Sequence, residues 1–193
     1  MFDRKVFFVK ERVAIVRLTD TWDILDPETK QPIAVAQERI PPALKALRLL
    51  INKRLLPTTV VVSTREGGPP LLTIKRGISL LHATVQVLDA NGTSLGSLKS
   101  KLFSIGGAFR VFDPAGTEVA LVQGNFIGWN FELKDANGRR LGAVTKKWAG
   151  VGKELFTTAD NYVIAIEKDG LPTAVTALLL AAGLAIDTVF KEK

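Results

Sequence analysis

The chain contains no cysteine, which excludes disulfides, thiolate nucleophiles and cysteine-bound zinc. It has a single histidine, His82, inside the apolar run LLHA at 80–83, with no second imidazole or thiolate to share a metal. His82 is therefore expected as a core or sheet-face residue. No phosphate-cradling P-loop and no complete dinucleotide fingerprint occur. The opening MFDRK has no apolar segment of signal-peptide form behind it, so no secretory signal is expected. No transmembrane span is expected either. A bilayer crossing takes roughly 20 apolar residues, and the longest apolar run is cut by Asp187.

What is present is apolar and basic. At 47% hydrophobic residues over 193 positions, the chain can bury a substantial core, and one domain over 1–193 is expected. The net charge of +7 favours anionic partners such as lipid headgroups, nucleic acid or phosphorylated ligands. The segment 171–190 reads LPTAVTALLLAAGLAIDTVF, with no charge from 171 to 186. A helix apolar on all sides lies deep in a protein or in a membrane. The interruption at Asp187 favours burial. Asp187 stands near the helix C-terminus, where the dipole disfavours a negative charge. Either it is buried and paired, hydrogen-bonded or protonated, or the helix end emerges into solvent there.

The rest is mostly strand and turn. One amphipathic helix is predicted near residues 43–56, where Leu44, Leu47, Ile51 and Leu55 recur at helical spacing and Lys45, Arg48, Lys53 and Arg54 form a basic face. A β-rich stretch is expected over 6–18, and a hairpin around 26–30. One hairpin form then recurs, with DANG at 89–92, DPAG at 113–116 and DANG at 135–138, each between two β runs. Ile127, Trp129, Phe131 and Leu133 alternate with Gly128, Asn130, Glu132 and Lys134, which predicts a strand with one buried and one wet face. The fold class is therefore mainly β. We expect a closed antiparallel barrel of about twelve strands, its interior filled by the C-terminal helix.

Three segments resemble the family that unites phospholipid scramblases with LURP-one-related proteins, the Tubby-like C-terminal fold. They are WDILD at 22–26 with PIAVAQE at 32–38; NFELKD at 130–135 with GAVTKKWAG at 142–150 and KELF at 153–156; and DNYVI at 160–164 leading to LAIDTVF at 184–190. The resemblance implies a roughly twelve-stranded barrel around a buried hydrophobic helix. It implies less about activity, since the family spans proposed lipid scramblases, phosphoinositide-binding relatives, plant defence-linked proteins and bacterial members. The sequence shows neither the Pro-rich arm nor the cysteine cluster of animal scramblases. In those scramblases an acidic segment before the helix is proposed to bind calcium. Here it reads TTADNY at 157–162, with Thr158 where an acid is expected. Calcium takes six to eight oxygens, several of them anionic. Asp160, Asn161 and Asp169 are the weak candidates, and turn residues before a strand are the preferred reading.

Other motifs dissolve on inspection. GTSLG at 92–96 spells the nucleophile elbow around Ser94, but it follows a hairpin turn and enters a strand rather than a helix. The two DANG segments begin like calcium loops and lack the later acids. No enzyme activity, no metal and no cofactor are expected. The feature that points to a ligand is the acid-free basic run Arg139, Arg140, Lys146, Lys147 and Lys153 around Trp148. Cations beside an indole suit anionic headgroups at a membrane interface. The plain alternative is a solvated strand face and loop. The sequence thus reads as a non-catalytic cytoplasmic barrel, peripheral at a membrane, that binds membrane surfaces or anionic lipid headgroups. The competing reading is a regulatory or structural domain that binds an acidic protein partner without lipid. Scramblase-like activity ranks third, because a helix filling a barrel cannot also conduct lipid through it. Nucleic acid ranks last.

Overall fold

Asp135 shows why the chain reverses where it does. Its Oδ1 accepts the backbone N–H groups of Asn137 and Arg139, each at 2.9 Å, and Gly138 donates to its carbonyl at 2.9 Å. Gly138 takes φ 77°, a conformation that a β-carbon would strain. Asp89 captures Asn91 and Thr93 in the same way, and Asp113 captures Thr117. Side-chain capture of backbone donors stabilises the turn against a continued strand. The repeated hairpin signal in the sequence is thus a repeated hydrogen-bond device.

The computed structural model describes residues 1–12, 19–41, 44, 56–77, 84–100, 108–147 and 161–190. Its strands are β1 (Val6–Glu11), β2 (Thr21–Leu25), β3 (Pro32–Arg39), β4 (Thr58–Ser63), β5 (Pro70–Arg76) and β6 (Thr84–Asp89). They continue as β7 (Ser94–Ser100), β8 (Ala108–Phe112), β9 (Glu118–Asn125), β10 (Asn130–Lys134), β11 (Arg140–Thr145) and β12 (Asn161–Ile166), followed by helix α1 (Thr173–Phe190). Every strand pairs antiparallel with its sequence neighbour, and β1 pairs with β12 to close the ring, Val6 facing Ala165 and Lys10 facing Asn161. Closure leaves no unpaired edge. This is the twelve-stranded barrel that the sequence predicts. The amphipathic helix expected near 43–56 lies outside the described residues, apart from Leu44 and the buried Leu56. The expected β run 6–18 ends as β1 at Glu11, and 13–18 are likewise outside them.

Because the strands alternate in direction, the barrel has two unlike ends. The aspartate turns at 26, 89, 113 and 135 all lie at one, here called the turn end. The opposite end, the loop end, receives the β1–β2, β3–β4, β5–β6, β7–β8 and β11–β12 connections and the short β9–β10 turn.

Inside, alternate residues of each strand meet the helix. Phe7, Ile24, Val62, Leu72, Leu133 and Ile164 are fully enclosed, and residues 176–187 of α1 are buried without interruption. The absent polar stripe in the sequence therefore reflects a helix with wall on every side. Each fully buried Leu or Ile contributes about 1.5–3 kcal/mol relative to exposure, and α1 supplies Leu178, Leu179, Leu180, Leu184 and Ile186. The helix also comes close to the wall. A β-carbon on Gly183 would lie 2.4 Å from Ile164 Cδ1, so this approach to β12 requires glycine. A second cluster, Phe8, Val163 and Ala165, occupies the opposite face of β1 and β12.

One expected alternation does not hold throughout. Phe131 and Leu133 are buried and Trp129 nearly so, but Ile127 is 95% exposed. The strand starts only at Asn130, and 126–129 form a turn in which Trp129 N–H donates to the Phe126 carbonyl at 3.3 Å. Two-residue periodicity stops where the extended backbone stops.

Candidate functional site

The basic run that the sequence singles out is divided by β11. Arg139 and Arg140 stand at the turn end, and Lys146 and Lys147 follow the strand at the loop end. At about 3.3 Å per residue, the two pairs are separated by roughly 16 Å of strand. Trp148 and Lys153 lie outside the described residues.

The two arginines are engaged in ion pairs. Arg139 reaches the turn carboxylate of Asp135 at 2.7 Å. Arg140 meets Glu167 at 2.8 Å and Glu132 at 3.7 Å, while Lys134 meets Glu132 at 2.7 Å. The Lys134 hydrogen bond, opposed by partial desolvation and aided by the charges of Lys134 and Arg140, holds the Glu132 carboxyl below its usual range. Glu132 is therefore ionised at neutral pH, and this end of the site is nearly charge-balanced.

The loop end differs. The Lys146 ammonium lies over the Trp129 ring, 4.6 Å from its centroid, a cation–π contact. Lys146 N–H also donates to the Trp129 carbonyl at 3.3 Å. Lys147 is exposed, and its backbone N–H donates to Thr145 Oγ1 at 3.0 Å. Trp129 is itself fixed by aromatic neighbours, with ring centroids of Phe131 at 6.1 Å, Phe126 at 6.4 Å and Tyr162 at 6.0 Å.

A groove of about 850 Å³ joins the two ends along the outer face of β9, β10 and β11. Arg140, Lys134 and Glu132 line its lower part. Asn125, Asn130, Thr145 and Lys147 line the part nearer the loop end. The amide and ammonium groups are donors for the oxygens of a phosphate or an ester, while the Thr145 hydroxyl donates to the Lys147 carbonyl at 3.5 Å. The wet-face alternation of Asn130, Glu132 and Lys134 is legible in the sequence. The contribution of Asn125 is not, because only pairing of β9 with β10 brings Asn125 opposite Asn130.

The calcium candidates do not converge. Asn161 is buried at the start of β12, opposite Lys10. Asp169 lies beyond the other end of that strand, ion-paired with Lys5. Asp160 is outside the described residues, among which no group of three or more His, Cys, Asp or Glu is placed to hold a metal. Ser94 opens β7 directly after a hairpin turn, so the elbow geometry is absent, and His82 is outside the described residues. Asp187 resolves plainly. It is 4% exposed and its Oδ2 accepts the Trp22 indole N–H at 2.7 Å.

Comparison with known proteins adds a family to this geometry. Altered inheritance rate of mitochondria protein 25 from Saccharomyces cerevisiae is 21% identical over 125 aligned positions, which take in 52% of this chain. The chain spans only 38% of that yeast protein's length. No solved structure matches this chain significantly. The Scramblase family pattern, however, matches residues 24–193, from β2 through the buried helix, and the chain belongs to that family.

Proposed function

We propose that the protein is a non-catalytic module that docks on membrane surfaces and binds anionic phospholipid headgroups near the loop end of β10 and β11. The observation that carries this reading is the grouping of Lys146 on Trp129 with exposed Lys147, Asn125 and Asn130 at one end of a groove. Membership of the Scramblase family supports a lipid-related role. A basic residue near an anionic surface contributes about 1 kcal/mol.

The barrel interior is not a lipid path in this reading, because α1 occupies it. Among the described residues no helix is long and apolar enough to cross a membrane. A protein-interaction role without lipid is the competing reading. It draws on the mixed charges of Glu132, Lys134 and Arg140, which suit a polar protein surface as well as a headgroup.

Co-sedimentation with vesicles tests the proposal. Binding is expected on phosphatidylcholine vesicles that contain phosphatidylserine, and it should weaken as salt shortens the screening length. Equal binding to purely zwitterionic vesicles, or none to either, would put the protein-interaction reading ahead.

A further inference from the structure

The β9–β10 turn presents its apolar tip in a fixed way. Ile127 is the one large apolar side chain fully exposed among the described residues. A single exposed isoleucine is ordinary in itself. This one is held outward by three separate contacts. Asn125 Oδ1 accepts the Ile127 N–H at 2.7 Å, the Phe126 carbonyl accepts the Trp129 N–H at 3.3 Å, and the Lys146 N–H ties Trp129 to the end of β11. Trp129 also adopts φ 45°, which a bulky residue avoids unless its surroundings impose it. Its ring is locked between Phe126, Phe131 and Tyr162. The turn is therefore a rigid mount rather than a loose loop, and Ile127 stands at its apex.

The surroundings select the partner. Lys146 and Lys147 leave β11 beside this turn, and the polar part of the groove begins directly behind it, with Gly128 and Asn125 in its lining. The turn thus offers one apolar side chain with ammonium and amide groups beside it. An anionic bilayer offers the counterparts, an acyl boundary with phosphates above it. An acidic protein partner would need an apolar pocket for Ile127 placed beside its carboxylates.

We infer that the turn at 126–129 is a membrane-insertion wedge: Ile127 enters the acyl boundary of an anionic bilayer while Lys146 and Lys147 engage the phosphates above it. The inference rests on the headgroup reading and adds to it an orientation, with the loop end facing the membrane. Ile127 lies in the interfacial zone, where apolar faces of peripheral elements are buried by about 5–10 Å.

The cysteine-free chain makes the test clean. Ile127→Cys and, at the turn end, Asn91→Cys each receive one environment-sensitive fluorophore. Each full-length protein is mixed with phosphatidylcholine vesicles, with and without phosphatidylserine, some carrying doxyl groups on the acyl chains. The label at 127 is expected to shift to the blue and be quenched on anionic vesicles, and the label at 91 to stay as in water. Ile127→Ala is expected to weaken partitioning about tenfold with an unchanged thermal transition, from the apolar area removed. Ile127→Leu should bind as the parent does. Vesicle binding with the label at 127 still in water, or undiminished by Ile127→Ala, overturns the wedge and leaves headgroup binding standing. Failure of the unsubstituted protein to bind anionic vesicles removes the headgroup reading, and the wedge with it.

Discussion

Trp22 donates its indole N–H to the Asp187 carboxylate at 2.7 Å, joining the start of β2 to the last part of α1 across 165 positions of sequence. Both side chains are buried. The contact offsets a carboxylate placed at the unfavourable end of a helix dipole, and it fixes the depth of the helix in the barrel.

Trp22→Phe keeps most of the apolar volume and removes the donor. It should destabilise by about 2–3 kcal/mol, the size of a hydrogen bond to a buried charged group. Asp187→Asn keeps an oxygen that can accept the indole N–H and should cost less. Denaturant unfolding of both variants checks the order, and the reverse order would show that the charge itself matters more than the bond.

Gly183 and Ile164 should be coupled. Gly183→Ala gains helix propensity of nearly 1 kcal/mol, but its methyl would meet Ile164 Cδ1 at 2.4 Å. Overpacking of this kind costs about 1–3 kcal/mol, so a net loss of about 1 kcal/mol is expected. Ile164→Val removes Cδ1 and relieves the clash in part, since Cγ1 at 2.7 Å remains. The double variant should therefore be more stable than the sum of the single changes, and strict additivity in a double-mutant cycle would count against the contact.

Tyr162 is enclosed, and its hydroxyl has no hydrogen-bond partner among the described residues. Burial, with the nearby charges of Asp187 and Glu11, raises its pKa well above the usual value. The folded protein thus holds this proton when the unfolded chain releases it. Its contribution to stability is complete below about pH 10, the unfolded value, and is lost as pH rises beyond it. Tyr162→Phe should be neutral or stabilising at pH 7 and should blunt alkaline unfolding. A loss above about 1 kcal/mol at pH 7 would reveal a partner for the hydroxyl.

The division of the basic run has a functional counterpart. Replacing Lys146 and Lys147 together by alanine should weaken binding to anionic vesicles by somewhat more than tenfold, at about 1 kcal/mol per cation and 1.4 kcal/mol per decade. Replacing Arg139 and Arg140 should matter less for binding, because both are held by carboxylates. Equal losses from the two pairs, at matched salt, would mean that the barrel meets the membrane along its side rather than at its loop end.

The sequence carries the barrel well, for physical reasons that these residues make plain. Asp89, Asp113 and Asp135 mark reversals because each captures its own backbone, a local event. The all-apolar run of α1 announces an enclosed helix, because no amphipathic surface could hold it. What it hides is distance and depth. Arg140 and Lys146 are near neighbours in sequence yet face different ends, since an extended strand converts a short separation into a long one. The turn at 126–129, by reversing the chain, brings Asn125 and Asn130 opposite each other. The display of Ile127 and the burial of Asp187 are tertiary outcomes. One depends on a turn replacing the expected strand, and the other on Trp22 arriving from the far end of the chain.

The closure of β1 on β12 bears on how the molecule comes into being. Both the strand that seals the ring and the helix that fills it are translated after the other eleven strands. Until then β1 lacks its β12 partner, and the inward apolar side chains of the other strands lack the helix they pack on. Pairing Val6 with Ala165 requires closing nearly the whole chain into one loop, a slow, high-contact-order event. The ring can therefore close, and its interior fill, only after β12 and α1 have both left the exit tunnel.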